Sequence, residues 1–188
     1  TEEKIQLITR NLEETLTEEE LKNFVVVYSG RFQPFHKGHL AMTKELKEQN
    51  DLPSIAVVVY PGHNKSGKSP FDDNVIKTYM ESVVREYPEV LSGFVIVNRG
   101  LLGIIAGEIR KLGYRIELIG AGEDKSDDYN KQVDYLVKAG KEFPTTTKVF
   151  KTKRTTSATE VRDKLKNEDF TAFKKLVPPC VASLYATL

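Results

Sequence analysis

Phe24-Val25-Val26-Val27-Tyr28-Ser29-Gly30-Arg31-Phe32-Gln33-Pro34-Phe35-His36-Lys37-Gly38-His39 is the stretch on which the fold is read. An unbroken β-branched and aromatic run closed by Ser29-Gly30 has no polar face, so it predicts a strand covered on both sides in a parallel sheet. A loop stiffened by Pro34 follows, and then a helix from about Lys37 to Gln49. The same alternation continues outward. Ile55–Tyr60, Phe94–Val97, Ile116–Ile119 and Thr147–Phe150 repeat the strand signature. Between them, Asp72–Glu86, Leu101–Leu112 and Asp127–Ala139 carry helical periodicity, with Val75, Tyr79, Met80 and Val83 on one inward face and Leu101, Ile104, Ile105 and Ile109 on another. Short helices are expected from Ser157 onward.

Strands and helices in this alternation predict an α/β domain: a Rossmann-like, doubly wound, parallel five-stranded sheet over residues 24–188. Residues 1–23 read as an N-terminal helical extension, with Ile5, Leu12 and Leu16 at helical spacing and Thr17-Glu18-Glu19-Glu20 resembling a capping box. In doubly wound sheets ligands bind beyond the carboxyl ends of the strands. The loops beginning at Ser29, Pro61, Asn98, Gly120 and Lys151 are therefore the places to look.

Composition narrows the class of function. Lys and Arg number 28 against 27 Asp and Glu, so no global charge drives the chain to nucleic acid or to a membrane surface. One cysteine, Cys180, permits no intrachain disulfide and favours a reducing cytoplasmic setting. No signal peptide and no apolar stretch near the length of a membrane span appears, so a chain that is neither exported by the usual route nor membrane-spanning is expected. The expected partners are small-molecule nucleotides, with a homo-oligomer left open.

The loop after the first strand carries the strongest chemical signal. Gly30 offers a tight exit from the strand, and Gly38 leaves space beside the following backbone. His36 and His39 stand three apart at a helix start, so both imidazoles can face one side. Amides and dipole at a helix N-terminus favour phosphate, and imidazole donors there can follow charge that shifts during transfer. The bland alternative is a pair of capping or surface histidines. A protein-held metal is a poor alternative, because His63 and Cys180 are all that remain to complete a zinc set.

His36-Lys37-Gly38-His39 resembles the HxGH signature of the nucleotidylyltransferase superfamily. The longer string Gly30–His39 is most similar to archaeal-type nicotinamide-nucleotide adenylyltransferases and their phage-encoded relatives. Thr156-Ser157-Ala158-Thr159-Glu160-Val161-Arg162 resembles the second signature of that superfamily, in the expected order. The resemblance spans most of residues 24–175. It implies adenylyl transfer from ATP to a phosphate-bearing acceptor, with NMN leading, pyrophosphate leaving, and Mg²⁺ held largely by ATP and water. It also implies that His36 and His39 contact ATP phosphates, that Thr156, Ser157 and Thr159 cradle them, and that Arg162 neutralises them. Ser29, Gly30, Arg31 and Phe32 would line the same pocket. The Gly120-Ala121-Gly122-Glu123-Asp124 turn would receive the nucleoside, with Asp124 on a ribose hydroxyl.

Three other readings compete. Gly62-His63-Asn64-Lys65-Ser66-Gly67-Lys68-Ser69 matches a phosphate-binding P-loop letter for letter, which would make the chain a kinase or NTPase. Pro70 follows at once and disfavours helical geometry at Ser69, where a P-loop needs its helix under way. The milder reading is a basic loop beside the site. Within it Pro70-Phe71 resembles a pair in the archaeal-type relatives, but Asp72-Asp73-Asn74 stands where they often carry an arginine. A non-catalytic nucleotide-binding protein, or one piece of a larger phage product, is the second alternative. The third is a tyrosyl-tRNA synthetase, whose entry helix Glu3–Asn11 resembles, but 188 residues leave no room for an anticodon domain.

Overall fold

A computed structural model describes residues 24–62, 70–122, 125–138, 148–152 and 157–185. The segment 1–23 and most of the glycine–lysine loop lie outside the described residues, and so do Asp124 and Thr156. Strand β1 (Phe24–Gly30) leads to helix α1 (Lys37–Glu48), β2 (Ser54–Val59) to α2 (Asp73–Glu86), and β3 (Gly93–Val97) to α3 (Leu102–Lys111). Next come β4 (Arg115–Gly122), α4 (Ser126–Lys138) and β5 (Lys148–Thr152). Three helices finish the described chain: α5 (Ala158–Lys166), α6 (Phe170–Leu176) and α7 (Pro179–Ala182).

The strands lie side by side in the order β3-β2-β1-β4-β5, and every pairing is parallel. The chain runs outward from β1 through β2 to β3, then returns to the other side of β1 for β4. The order therefore reverses between β1 and β4. Loops leaving the carboxyl ends of those two strands diverge there and open a crevice, which is where ligands of such sheets bind.

Alternation along β1 explains why its sequence lacks a polar face. Val26 and Tyr28 pack with Leu40 and Leu46 of α1, Ile76, Tyr79 and Met80 of α2, Val161 of α5, Phe173 of α6 and Val181 of α7. Val25 and Val27 point the other way, onto Leu102, Ile105 and Ile109 of α3 and Tyr129 of α4. Each fully buried Val or Ile contributes about 1.5–3 kcal/mol of apolar transfer. The two layers are thus secured by the same residues that define the strand.

Four expectations are corrected in detail. Strand β4 does not stop at Ile119 but continues through Gly120 and Ala121 to Gly122, paired with both β1 and β5. Tyr28 stands opposite Gly120, and a Cβ added there would lie 2.8 Å from Leu46 Cδ2 and 3.0 Å from Tyr28 Cδ2. Gly120 is a packing glycine within a strand rather than a turn residue. On α3 the inward face is Leu102, Ile105 and Ile109, while Leu101 caps the helix and is 50% exposed. On α2, Ile76 joins Tyr79, Met80 and Val83 in the core, and Val75 packs half-buried against the same cluster. The sharp bend after β1 falls on Phe32, with φ of 49°, and not on Gly30. A buried aromatic in the left-handed region costs roughly 1–2 kcal/mol, which surrounding contacts must offset.

Gly120→Ala is expected to lower stability by about 1–3 kcal/mol in denaturant unfolding, because neither Leu46 nor the Tyr28 ring has room to retreat in a closed core. A change below about 0.5 kcal/mol would show that the contact is relieved cheaply.

Candidate active site

The segment between β1 and α1 is built as a cap made of two histidines. His36 is the N-cap of α1, and its Nδ1 accepts hydrogen bonds from the Gly38 amide at 3.0 Å and the His39 amide at 3.4 Å. His39 returns the arrangement, its Nδ1 accepting from the His36 amide at 3.2 Å. The rings stack with centroids 3.7 Å apart and planes 20° off parallel. The three-residue spacing thus places both imidazoles together, as the sequence suggests. It also changes the role of the backbone. The Gly38 and His39 amides are taken up by the His36 ring, which is itself buried, while His39 is half-buried.

Capping fixes the protonation pattern. An Nδ1 that accepts a backbone hydrogen bond carries no proton, so in each neutral ring the proton sits on Nε2 and makes it a donor. Aromatic neighbours hold this orientation: the Phe32 ring meets His39 edge-on at 4.6 Å, and Phe35 lies 5.4 Å from it. Phe32 is 1% exposed, so its side chain serves as a wall behind His39.

Arg162, far away in sequence on α5, reaches this loop. Its Nη1 donates to the Gln33 carbonyl at 2.9 Å, and its Nη2 donates to Thr159 Oγ1 at 3.3 Å. Burial holds the Arg162 guanidinium below its ordinary range; Asp163 partly offsets this, and the Arg31 cation adds to it. Arg31 is exposed beside it. Two guanidinium groups close enough to repel, at the mouth of a crevice, are an arrangement that an anion would relieve. Ser157 is the N-cap of α5, but its hydroxyl makes no capping hydrogen bond. The Asp N-caps of α2 and α6 instead satisfy Val75 and Ala172 amides.

Ser29 closes the other wall. Its Oγ accepts from the Tyr129 hydroxyl of α4 at 2.8 Å, and both side chains are buried. Burial raises the Tyr129 pKa and the Ser29 hydrogen bond partly offsets that, so the phenol stays a neutral donor.

The structure therefore brings His36, His39, Arg31, Thr159 and Arg162 around one loop, with Ser29, Gly30 and Phe32 beneath it. Gly38 lies in the first turn of α1, and Gly120 packs under Tyr28. Two residues absent from the sequence-based site matter to the loop's shape. Gln33 is fully buried: Phe71 N–H donates to its Oε1 at 3.0 Å, and its Nε2 donates to the Phe71 carbonyl at 3.4 Å. Tyr79, also fully buried, donates to the Phe32 carbonyl. A polar Gln between Phe32 and Pro34-Phe35 was the available signal for the first. Nothing in helical periodicity distinguishes the hydroxyl of Tyr79 from a core ring.

The P-loop reading meets a physical obstacle in the described residues. Helix α2 begins at Asp73, four residues beyond Ser69 in sequence, whereas a P-loop runs from its Ser or Thr directly into the helix. Among the described residues no group of three or more His, Cys, Asp or Glu could hold a metal ion, and no helix is long and apolar enough to cross a membrane.

A parallel sheet reversing between β1 and β4, with two stacked imidazoles and an arginine from α5 on the loop that leaves β1, defines a doubly wound α/β domain. The family model described as cytidylyltransferase-like matches residues 27–164, and the chain belongs to that family. Solved structures share the fold. A bifunctional NMN adenylyltransferase/ADP ribose pyrophosphatase from Francisella tularensis matches with a TM-score of 0.63 at 19% identity, over 88% of this chain and 49% of that one. TmcAL of Thermotoga maritima, bound with alpha-thio ATP, matches at 0.58 and 14%, over 88% and 55%. The nicotinic acid mononucleotide adenylyltransferase of Plasmodium falciparum, complexed with APC, matches at 0.57 and 14%, over 87% and 94%. The chain thus spans about half the length of the first two. No curated protein sequence matches.

Imidazole ¹⁵N spectra of the free protein at pH 7.5 are expected to show Nδ1 of His36 and His39 unprotonated and Nε2 protonated. A protonated Nδ1 on either ring would contradict the reciprocal cap.

Proposed function

We propose that the chain is an ATP-dependent adenylyltransferase that joins AMP to a phosphate-bearing acceptor, with NMN the leading candidate, and releases pyrophosphate. Family membership and fold neighbours support nucleotidylyltransferase activity. The observation that carries the finer reading is the hydrogen bond from Arg162 to Gln33 O, which ties α5 to the loop that carries the stacked histidines.

In this reading an oxygen of the acceptor phosphate attacks the α-phosphorus of ATP in line. A new P–O bond forms, the bond from the α-phosphorus to the bridging oxygen breaks, and its electron pair leaves with pyrophosphate. A phosphate oxygen is already anionic, so no general base is needed and catalysis rests on placement and charge stabilisation. The Nε2–H groups of His36 and His39 donate to phosphate oxygens as charge moves to the leaving group. Arg162 and Arg31 neutralise the β- and γ-phosphates, the former as a planar fork. Ser157, Thr159 and the N-terminus of α5 take the same oxygens, with Thr156 adjoining. Mg²⁺, bound largely by the nucleotide and water, would supply further charge neutralisation. Asp124, two residues beyond β4 in sequence, is assigned to the nucleoside side, whereas Gly120 packs under Leu46 and Tyr28 and makes no such contact.

The test is product analysis by mass after incubation with ATP, Mg²⁺ and a panel of NMN, nicotinate mononucleotide, phosphopantetheine and sugar phosphates. A dinucleotide from NMN with equimolar pyrophosphate is expected. His39→Ala should lower kcat by about 100-fold or more, since it removes a transition-state donor. Pyrophosphate release at the parent rate by that variant would sink the assignment.

A further inference from the structure

Phe32 takes the histidine loop through a bend that an L residue seldom adopts, its φ of 49° lying in the left-handed region. A bulky residue stays there only where its surroundings hold it. Here both ring and main chain are held. The ring folds back over the end of β1, so that a Cβ added at Gly30 would lie 3.4 Å from Phe32 Cζ. It meets Tyr28 edge-on with centroids 5.5 Å apart, stacks on Phe35 at 5.7 Å and stands edge-on to His39 at 4.6 Å. The main chain is held from α2, where the Tyr79 hydroxyl donates to the Phe32 carbonyl.

Tyr79 has no solvent exposure, and Ile76, Met80 and Val83 of the same helix are as deeply buried. A phenylalanine would fill that place with the same ring. A hydroxyl sunk in an apolar layer is costly without a partner, so its presence is explained by the bond it makes. Burial raises the Tyr79 pKa well above its ordinary value, so the phenol is a neutral donor near neutral pH. The next carbonyl along the loop, that of Gln33, accepts from Arg162. Two consecutive carbonyls are thus fixed by two different helices, and the bend at Phe32 sets where its ring stands against His39.

We propose that Tyr79 is a positioning residue for His39: its hydroxyl holds the left-handed bend at Phe32, and the Phe32 ring then fixes the orientation of the His39 imidazole. This rests on the transferase reading above, in which His39 Nε2–H donates to phosphate as charge moves. Loss of the Tyr79 hydroxyl leaves both partners of the Arg162–Gln33 bond in place, so the grip on ground-state phosphates changes little. What changes is the aim of a donor that matters most in the transition state, and that lowers kcat rather than raising KM.

The experiment uses the full chain with three variants. Tyr79→Phe removes one oxygen and keeps the ring. Phe32→Leu keeps apolar bulk, loses the flat edge against His39, and tests the second link even where Tyr79→Phe does not fold. Val83→Ala opens a cavity one turn further along α2. Circular dichroism establishes folding, and the readouts are steady-state kinetics with ATP, Mg²⁺ and NMN together with imidazole ¹⁵N spectra. Tyr79→Phe should lower kcat about tenfold, keep KM for ATP and for NMN within about twofold, and shift the His39 signals. Phe32→Leu should reproduce the fall in kcat. Val83→Ala should lower the unfolding midpoint, yet keep kcat within about twofold and the His39 signals in place. Parent-like kcat in the folded Tyr79→Phe or Phe32→Leu chain would overturn the inference and leave the transferase reading intact. So would a fall in kcat with unmoved His39 signals in Tyr79→Phe, or an equal fall in Val83→Ala. Absence of any product from the parent chain would instead overturn that reading and the inference with it.

Discussion

The hydrogen bond from Arg162 to the Gln33 carbonyl joins two segments that β2 to β5 and their helices separate in sequence. Val161 in the apolar layer and the packing of α5 on α6 hold the helix as well, but neither fixes where its arginine ends. With the hydrogen bond, the guanidinium is fixed on the loop that carries Arg31 and the stacked histidines. Burial weakens the charged state of Arg162, and the Arg31 cation works in the same direction. Asp163 partly offsets both, and the guanidinium is already anchored on the Gln33 carbonyl before any ligand enters. Such preorganisation suits a polyanion whose charge migrates during reaction, because the protein need not rearrange when the charge moves.

The histidine cap shows how local structure and chemistry use the same atoms. Each imidazole satisfies main-chain donors through Nδ1 and thereby turns Nε2 into a donor. A serine or aspartate cap would satisfy the helix equally well, but serine has no second polar atom and the second oxygen of aspartate cannot donate. In the proposed transfer the helix start and the phosphate contact impose one constraint on two residues, and Phe32 and Phe35 give the His39 ring an apolar backing.

Much of this was legible before any coordinates. The apolar run of β1 and its repeats along the chain define strands buried on both faces, and their alternation with helices leaves a doubly wound sheet as the natural arrangement. The pairing of His36 with His39 followed from spacing alone. What escaped the sequence were contacts between distant segments. Gly120 reads as a turn residue because glycine commonly ends strands, whereas its actual role depends on Leu46 and Tyr28 closing over it. Phe32 reads as a pocket residue by position, but its backbone bend drives the ring inward. Gln33 sits in the open within the most telling stretch of sequence, yet its partner Phe71 can be named only once α2 is placed. Short-range patterns record propensity and burial, while partners across the fold leave no period to read.

The central claim is that the α-phosphoryl group of ATP, carrying its nucleoside, moves to an acceptor phosphate. The measurement closest to it follows two labels in parallel reactions with Mg²⁺ and NMN, one with ATP labelled at the α-phosphorus and one at the γ-phosphorus. The account predicts that the α label appears in the joined product and the γ label in pyrophosphate. Transfer of the γ label to the acceptor, or its release as inorganic phosphate, would contradict the account and mark phosphoryl transfer or hydrolysis instead.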